Sequence, residues 1–475
     1  MQNKAKITSN YDITQKQEGT RNFFIFVLGG VVFTFFTFMV ISFTREPNNQ
    51  LVVIHGPNPA TQLTTISEDN LQARVQKWFE TKNNKIPTPK TPVIPIVIPP
   101  VIPVPISSPP ASTTQNISIV NPVTSVATVI PVTNTLANNL GIAAGGALIY
   151  LGQPELDIYF KNLSDLGLTW LRWDIAWNVV QPTNANQYNW DAADRVVATA
   201  KKYNIKMLGI ITYAPAWSST PNACNSAGMC VPTDPATFGT FAGTVALRYK
   251  GSVDHFEIWN EPNYSFFWKP KPNTTTYISI LQSSYTEIKR VNPDATVIAG
   301  ALASSGDEVD GSISPITFVR ALYAGNAKVY FDAISVHPYT YPAAPDYVAS
   351  WNSWQQVTTI HQIMIDNGDL SKKIWITEYG TPTGGPGTAH DINQLSFTYG
   401  ADYMTEMAQQ QAAQKVVELY QKDKAFFGPL FWYSLKDDGI SNTTPENFFG
   451  LIRFDGTKKP AYDIFRNIVI SARAL

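Results

Sequence analysis

From residue 137 onward, eight apolar runs of strand length alternate with longer segments of helical periodicity. The runs cover 141–149, 168–175, 205–213, 254–260, 295–302, 330–336, 373–378 and 428–434. Between them lie amphipathic stretches such as Asp191–Tyr203, Ala236–Lys250, Tyr277–Val291 and Trp351–Asn367. Strands that alternate with helices specify a parallel sheet, hence an α/β fold. Eight units in about 340 residues predict a closed (β/α)8 TIM barrel rather than an open sheet. No Gly-x-Gly-x-x-Gly or phosphate loop opens the first unit, so neither a nucleotide partner nor a cofactor is expected.

Barrels of this kind place their chemistry at the carboxyl ends of the strands. The fourth run, His255-Phe256-Glu257-Ile258-Trp259, breaks at Pro262 and so delivers Glu261 at a strand end with Asn260 beside it. The seventh, Lys373-Ile374-Trp375-Ile376-Thr377, delivers Glu378 just before a Gly/Pro-rich loop, 117 positions later. Two carboxyl groups on two strand ends are the minimum equipment for cleaving a glycosidic bond. A Thr-Glu-Tyr tripeptide by itself signals only a solvated glutamate. Its weight here comes from its place at the end of an apolar strand. Arg172 and Glu257 both fall mid-strand with inward parity. A buried pair between them and a contact from Arg172 to Glu378 are both open readings.

The motifs around these residues carry a resemblance. Ile258-Trp259-Asn260-Glu261-Pro262-Asn263 resembles the strand-four motif of clan A retaining glycoside hydrolases, and Trp375-Ile376-Thr377-Glu378-Tyr379-Gly380 resembles their strand-seven motif. Gly167-Leu168-Thr169-Trp170-Leu171-Arg172, Val336-His337-Pro338-Tyr339 and Phe431-Trp432-Tyr433-Ser434 are similar to strands two, six and eight of the same enzymes. The likeness spans about residues 140–472. It is nearest to the cellulase-like family five and to family thirty-nine, with its β-xylosidases and exopolysaccharide hydrolases. Ala214-Pro215-Ala216-Trp217 leans toward the latter, and Thr212-Tyr213 stands where many cellulase-like members carry a His.

The resemblance implies Glu261 as acid/base and Glu378 as nucleophile. It implies substrate contacts from Asn260, Arg172, His337, Tyr339, Trp217 and Trp432, with Trp432 as the floor under the sugar. His255, His361 and His390 have no metal-ligand spacing, and no catalytic metal is expected.

Charge is balanced, with 35 Lys+Arg against 36 Asp+Glu, which excludes the basic footprint of a nucleic-acid binder. The two cysteines, Cys224 and Cys230, share one loop and are either a local disulfide or two thiols.

Phe23 to Phe43 is an uncharged, mostly apolar run of 21 residues, long enough to span a bilayer as a helix. Lys4, Lys6, Lys16 and Arg21 precede it and only Arg45 follows closely, which orients the N-terminus to the cytoplasm and the rest outward. No small-x-small cleavage site follows the run, so a retained anchor is read in preference to a cleaved signal. Residues 44–86 form a juxtamembrane segment with a short helix from Ser67. Ten prolines within 87–110 favour an extended stalk, and a Ser/Thr/Asn-rich tract completes a linker to residue 136.

The whole reads as 1–22 cytoplasmic, 23–43 transmembrane, 44–86 juxtamembrane, 87–136 linker and 137–475 barrel. It is a single-pass membrane protein whose extracytoplasmic barrel acts on carbohydrate. A barrel that binds glycan without cutting it, or a transglycosylase on the same residues, are the alternatives.

Overall fold

The computed structural model describes residues 134–220 and 229–473, together with four short strands before residue 67. Those strands form two antiparallel pairs: Phe23–Phe24 with Ser42–Phe43, and Leu51–Val53 with Thr64–Ile66. The rest of the expected membrane run, the helix from Ser67 and the proline-rich linker lie outside the described residues. Among the described residues, no helix is long and apolar enough to cross a membrane.

Eight strands close into a parallel barrel: β1 (Leu140–Ala143), β2 (Trp170–Ala176), β3 (Lys206–Thr212), β4 (His255–Ile258), β5 (Thr296–Ala303), β6 (Ala333–His337), β7 (Lys373–Tyr379) and β8 (Phe427–Tyr433). Each expected run contains its strand. The first is shorter than expected. It stops at Ala143, because Gly145 turns through a left-handed φ of 55° and the chain continues as a 3-10 helix over Ala147–Tyr150.

Eight helices return the chain between strands: α1 (Gln153–Asp165), α2 (Asp191–Lys202), α3 (Pro235–Arg248), α4 (Thr274–Val291), α5 (Pro315–Ala324), α6 (Ser353–Asp366), α7 (Glu406–Lys422) and α8 (Pro460–Arg473). Their starts are chemically marked. The side chains of Asp234, Asn273, Ser314, Asn352 and Thr405 each accept a backbone N–H from the first turn that follows. Pro235 and Pro315 occupy first-turn positions where a missing N–H costs nothing.

Strand alternation divides the apolar side chains into two cores. A small cluster fills the barrel: Trp170, Leu208, Ile298, Ala333, Trp375 and Phe431, with Ala143. Trp170 meets Trp375 edge-on at 5.5 Å and Phe431 at 6.2 Å between ring centroids. The larger cluster lies between strands and helices. Because Trp170 points inward, Arg172 and Asp174 do too, each one step closer to the open end.

Candidate active site

The site forms where β4 and β7 depart from regular geometry. β4 ends at Ile258, and the next turns are made by Trp259 and Glu261, with left-handed φ values of 72° and 49°. Such conformations cost a non-glycine residue about 1–3 kcal/mol each and persist only where neighbours over-determine them. Here they do. Trp259 N donates to Ile211 O of β3 at 2.9 Å, its indole N–H donates to Phe267 O at 3.0 Å, and Glu261 N donates to Ala301 O of β5 at 3.1 Å. Tyr213, just past β3, and Ala301 within β5 are also left-handed.

β7 contributes the second departure. Ile376 pairs with Leu430 but Tyr379 pairs with Trp432, so β7 carries one extra residue between those positions. Simple alternation from the inward Trp375 would send Glu378 toward the helices. The irregularity re-aims it into the barrel mouth, a use of bulges that recurs next to active sites.

Arg172 joins the pieces. Its Nε donates to Glu257 Oε2 at 2.7 Å, its Nη2 to Asn260 Oδ1 at 2.8 Å, and its Nη1 to Glu378 Oε1. Both open readings of this residue are therefore realised at once. Because Asn260 Oδ1 is held by the guanidinium, the Asn260 amide nitrogen keeps its two N–H donors for another partner. Tyr339 OH donates to Glu378 Oε2 at 2.8 Å. His337 Nδ1 shares a 2.8 Å hydrogen bond with Glu261 Oε1 and lies 3.5 Å from Glu378 Oε2. One donor atom each of Glu261, His337 and Glu378 lie within 4.8 Å of one another.

The electrostatics separate the two carboxyl groups. Burial, and then the charge of Glu378, hold Glu261 well above the ordinary carboxyl range. Burial raises Glu378 as well, but there the Arg172 charge and hydrogen bonds from Tyr339 and Arg172 oppose it. The first proton therefore goes to Glu261. Burial, and then the nearby Arg172 charge, push His337 well below its ordinary range, so its imidazole is neutral.

Two expected contacts lie elsewhere. Trp432 is 1% exposed and packs on Phe465 of α8 and on Tyr379, on the outer side of the barrel. Phe431 and Tyr433 take the inward positions on β8, so Trp432 is not a floor for the cleft. Trp217 is half-buried, edge-on to Trp177 at 5.4 Å, and its indole N–H donates to Gln181 O at 2.8 Å. These contacts are not to the glutamates or their partners. Cys230 is disulfide-bonded, and Cys224 lies outside the described residues.

The structure also brings in residues that motif reading passed over. Tyr213 stands edge-on to Trp259 at 5.9 Å and feels the charges of Asp174 and Glu261. Tyr433 OH donates at 2.9 Å to Glu446, which sits on the 3-10 helix Pro445–Phe448. Asp174 lies two residues beyond Arg172 on the same face of β2. Asp174 was signalled by a charge inside an apolar strand, and Tyr433 by alternation from Phe431. Glu446 comes from a loop and left no signal.

No family model matches the chain, and no curated protein matches it. Solved structures do. A family 39 glycoside hydrolase from the gut symbiont Bacteroides cellulosilyticus aligns with a TM-score of 0.54 at 22% identity, over 71% of this chain and 64% of its own. A monomeric β-xylosidase from Caulobacter crescentus aligns at 0.53 and 15% identity, over 71% and 68%. A further family 39 enzyme, from Xanthomonas axonopodis pv. citri, aligns at 0.53 and 14%, over 71% and 67%. The chain thus spans just under two thirds of the first of these. The barrel is the fold of these glycoside hydrolases.

Proposed function

We propose that the chain is a retaining β-glycoside hydrolase, with Glu261 as acid/base and Glu378 as nucleophile. The observation that carries this is the spacing: oxygens of the two carboxyl groups lie within 4.8 Å. Retaining enzymes hold their carboxyl groups about 5–5.5 Å apart, whereas inverting enzymes need about 6.5–9.5 Å to admit a water.

In this reading Glu378 attacks the anomeric carbon while Glu261 gives its proton to the departing oxygen. Water, deprotonated by Glu261, then releases the sugar from Glu378. Arg172 and Tyr339 keep Glu378 ionised and aimed. The Asn260 amide donates to the sugar's 2-hydroxyl, a contact that strengthens in the transition state. His337 orients Glu261, and Tyr433 presents an aromatic face in the cleft. The polar N-terminus, the apolar run 23–43 and the proline-rich stretch support an anchored enzyme with its barrel outside the cytoplasm, acting on an envelope, matrix or biomass glycan.

The test is NMR of the first-formed anomer from β-linked oligosaccharides. Retention gives the β-anomer first, and α-anomer first removes the reading. Azide should restore turnover to Glu378→Ala with inverted product. A chelator should leave wild-type turnover unchanged.

A further inference from the structure

The charges around the two glutamates are one-sided. Arg172 has Nε, Nη1 and Nη2 engaged by Glu257, Glu378 and Asn260. It is the only cation among the main charges acting on Glu261, Glu378, Asp174, Tyr213 and Tyr433, taken over the described residues. Lys459 is tied to Asp437 Oδ1 at 2.6 Å. The internal stretch 221–228 carries no Lys, Arg, Asp or Glu.

Against one committed cation stand Glu257, Glu378, Asp174 and Glu446. Asp174 differs from the others. Its backbone N–H bonds to Gly145 O at 3.1 Å, but neither carboxylate oxygen has a hydrogen-bond partner among the described residues. It faces Gly146, where a β-carbon would come only 3.4 Å from its Oδ2. At Gly146, therefore, no side chain covers it. Burial pushes Asp174 up to about 7; Arg172 opposes this, and the charges of Glu378 and Glu257 add to it. A half-buried carboxylate with no internal donor is a group that a ligand's donors would satisfy.

We propose that this cleft takes a glycan free of carboxylate, sulfate and phosphate groups, and that Asp174 is its specificity-determining residue, accepting hydrogen bonds from hydroxyl or ammonium donors of the bound sugar. The inference rests on the hydrolase reading and adds the substrate's charge to it. Above about pH 7, where Asp174 is ionised, an anionic sugar ring would meet Asp174, Glu446 and Glu378, and Arg172, the cation acting on them among the described residues, is already engaged. Those like charges oppose its binding at any depth where the reaction can occur.

The experiment is calorimetric titration of the full-length Glu261→Gln variant, which keeps the cleft and slows cleavage. The ligands are β-linked hexasaccharides in matched pairs, mannose against mannuronate and glucose against glucuronate. Xylose, β-1,3-glucose and free-amine glucosamine hexamers complete the set. At least one neutral or amine-bearing hexamer should bind. Every uronate should bind at least about tenfold more weakly than its neutral twin at low salt, the gap narrowing as salt screens it. The glucosamine hexamer against the glucose hexamer tells which donor Asp174 prefers. Asp174→Asn, and separately Glu446→Gln, should close the gap between twins. A uronate that binds as tightly as its twin, no binding by any neutral or amine-bearing hexamer, or a gap untouched by both substitutions overturns the proposal. Cleavage by the wild-type chain is read separately. A hexamer bound but left intact would keep the charge preference and remove the hydrolase reading.

Discussion

Tyr339 donates its hydroxyl to Glu378 Oε2 at 2.8 Å, while Arg172 holds the other oxygen of the same carboxylate. Both contacts favour the ionised form, against burial that disfavours it. Tyr339→Phe deletes one of them and leaves the ring. The pKa of Glu378 then rises, and since in the proposed mechanism this residue must be ionised to attack, the acidic limb of the kcat/KM profile should move to higher pH. A hydrogen bond to a charged group is worth about 1.5–3 kcal/mol, so turnover at the optimum should fall about ten- to hundredfold. A pH–rate profile of the variant checks both.

Arg172 holds Glu257 through one set of atoms and Glu378 and Asn260 through others, so its structural role and its proposed part in the chemistry can be separated. Arg172→Met leaves Glu257 fully buried without its cation. Breaking a buried pair in this way costs about 3–5 kcal/mol. Arg172→Met with Glu257→Leu removes both charges and should recover much of the melting temperature. Turnover should stay lost in the double variant, because Glu378 and Asn260 have still lost their partner. Thermal melts and kinetics on the two variants, side by side, decide.

The charge of Glu378 raises the proton affinity of Glu261, so neutralising Glu378 must show on its neighbour. Glu378→Gln removes the like charge that helps hold Glu261 up. Burial remains, so the Glu261 pKa should fall yet stay above that of a solvated glutamate. Carbon NMR of the Glu261 carboxyl across a pH titration reads this directly. An unmoved titration would mean that the carboxylates are farther apart than described.

Where the strands are regular, alternation alone finds the inward residues: Arg172 on β2 and Glu257 on β4 lie where parity sends them. Trp432 shows the opposite case. The motif resemblance points to it, whereas parity from Phe431 points to Tyr433. Glu378 is inward only because β7 carries an extra residue, and such a bulge leaves no mark in a single sequence. Its place at the end of an apolar strand points to it, as does the motif resemblance, which already contains that irregularity. Glu446 reaches the cleft from a loop after β8, a position no periodicity describes. Strand count and order were legible because hydrophobic runs report burial. The cleft's charge balance depends on which loops fold inward, and that is tertiary information.

Gly380 follows β7 for a steric reason. A β-carbon there would overlap the backbone carbonyl oxygen of Tyr433 on β8 and approach the Phe449 ring at 3.2 Å. β7 and β8 are hydrogen-bonded neighbours in a closed barrel, so neither backbone can retreat without opening the ladder at its carboxyl end. Gly380→Ala should therefore destabilise by about 1–3 kcal/mol, as overpacking does, and lower the melting temperature by several degrees. It should also cost turnover more than substrate binding, because Glu378 lies two residues upstream and is displaced from its partner across the cleft, while most of the sugar's contacts come from other strands. Calorimetric melting together with separate kcat and KM values tests this. A variant that melts and turns over like the parent would show that the two strands do not approach so closely.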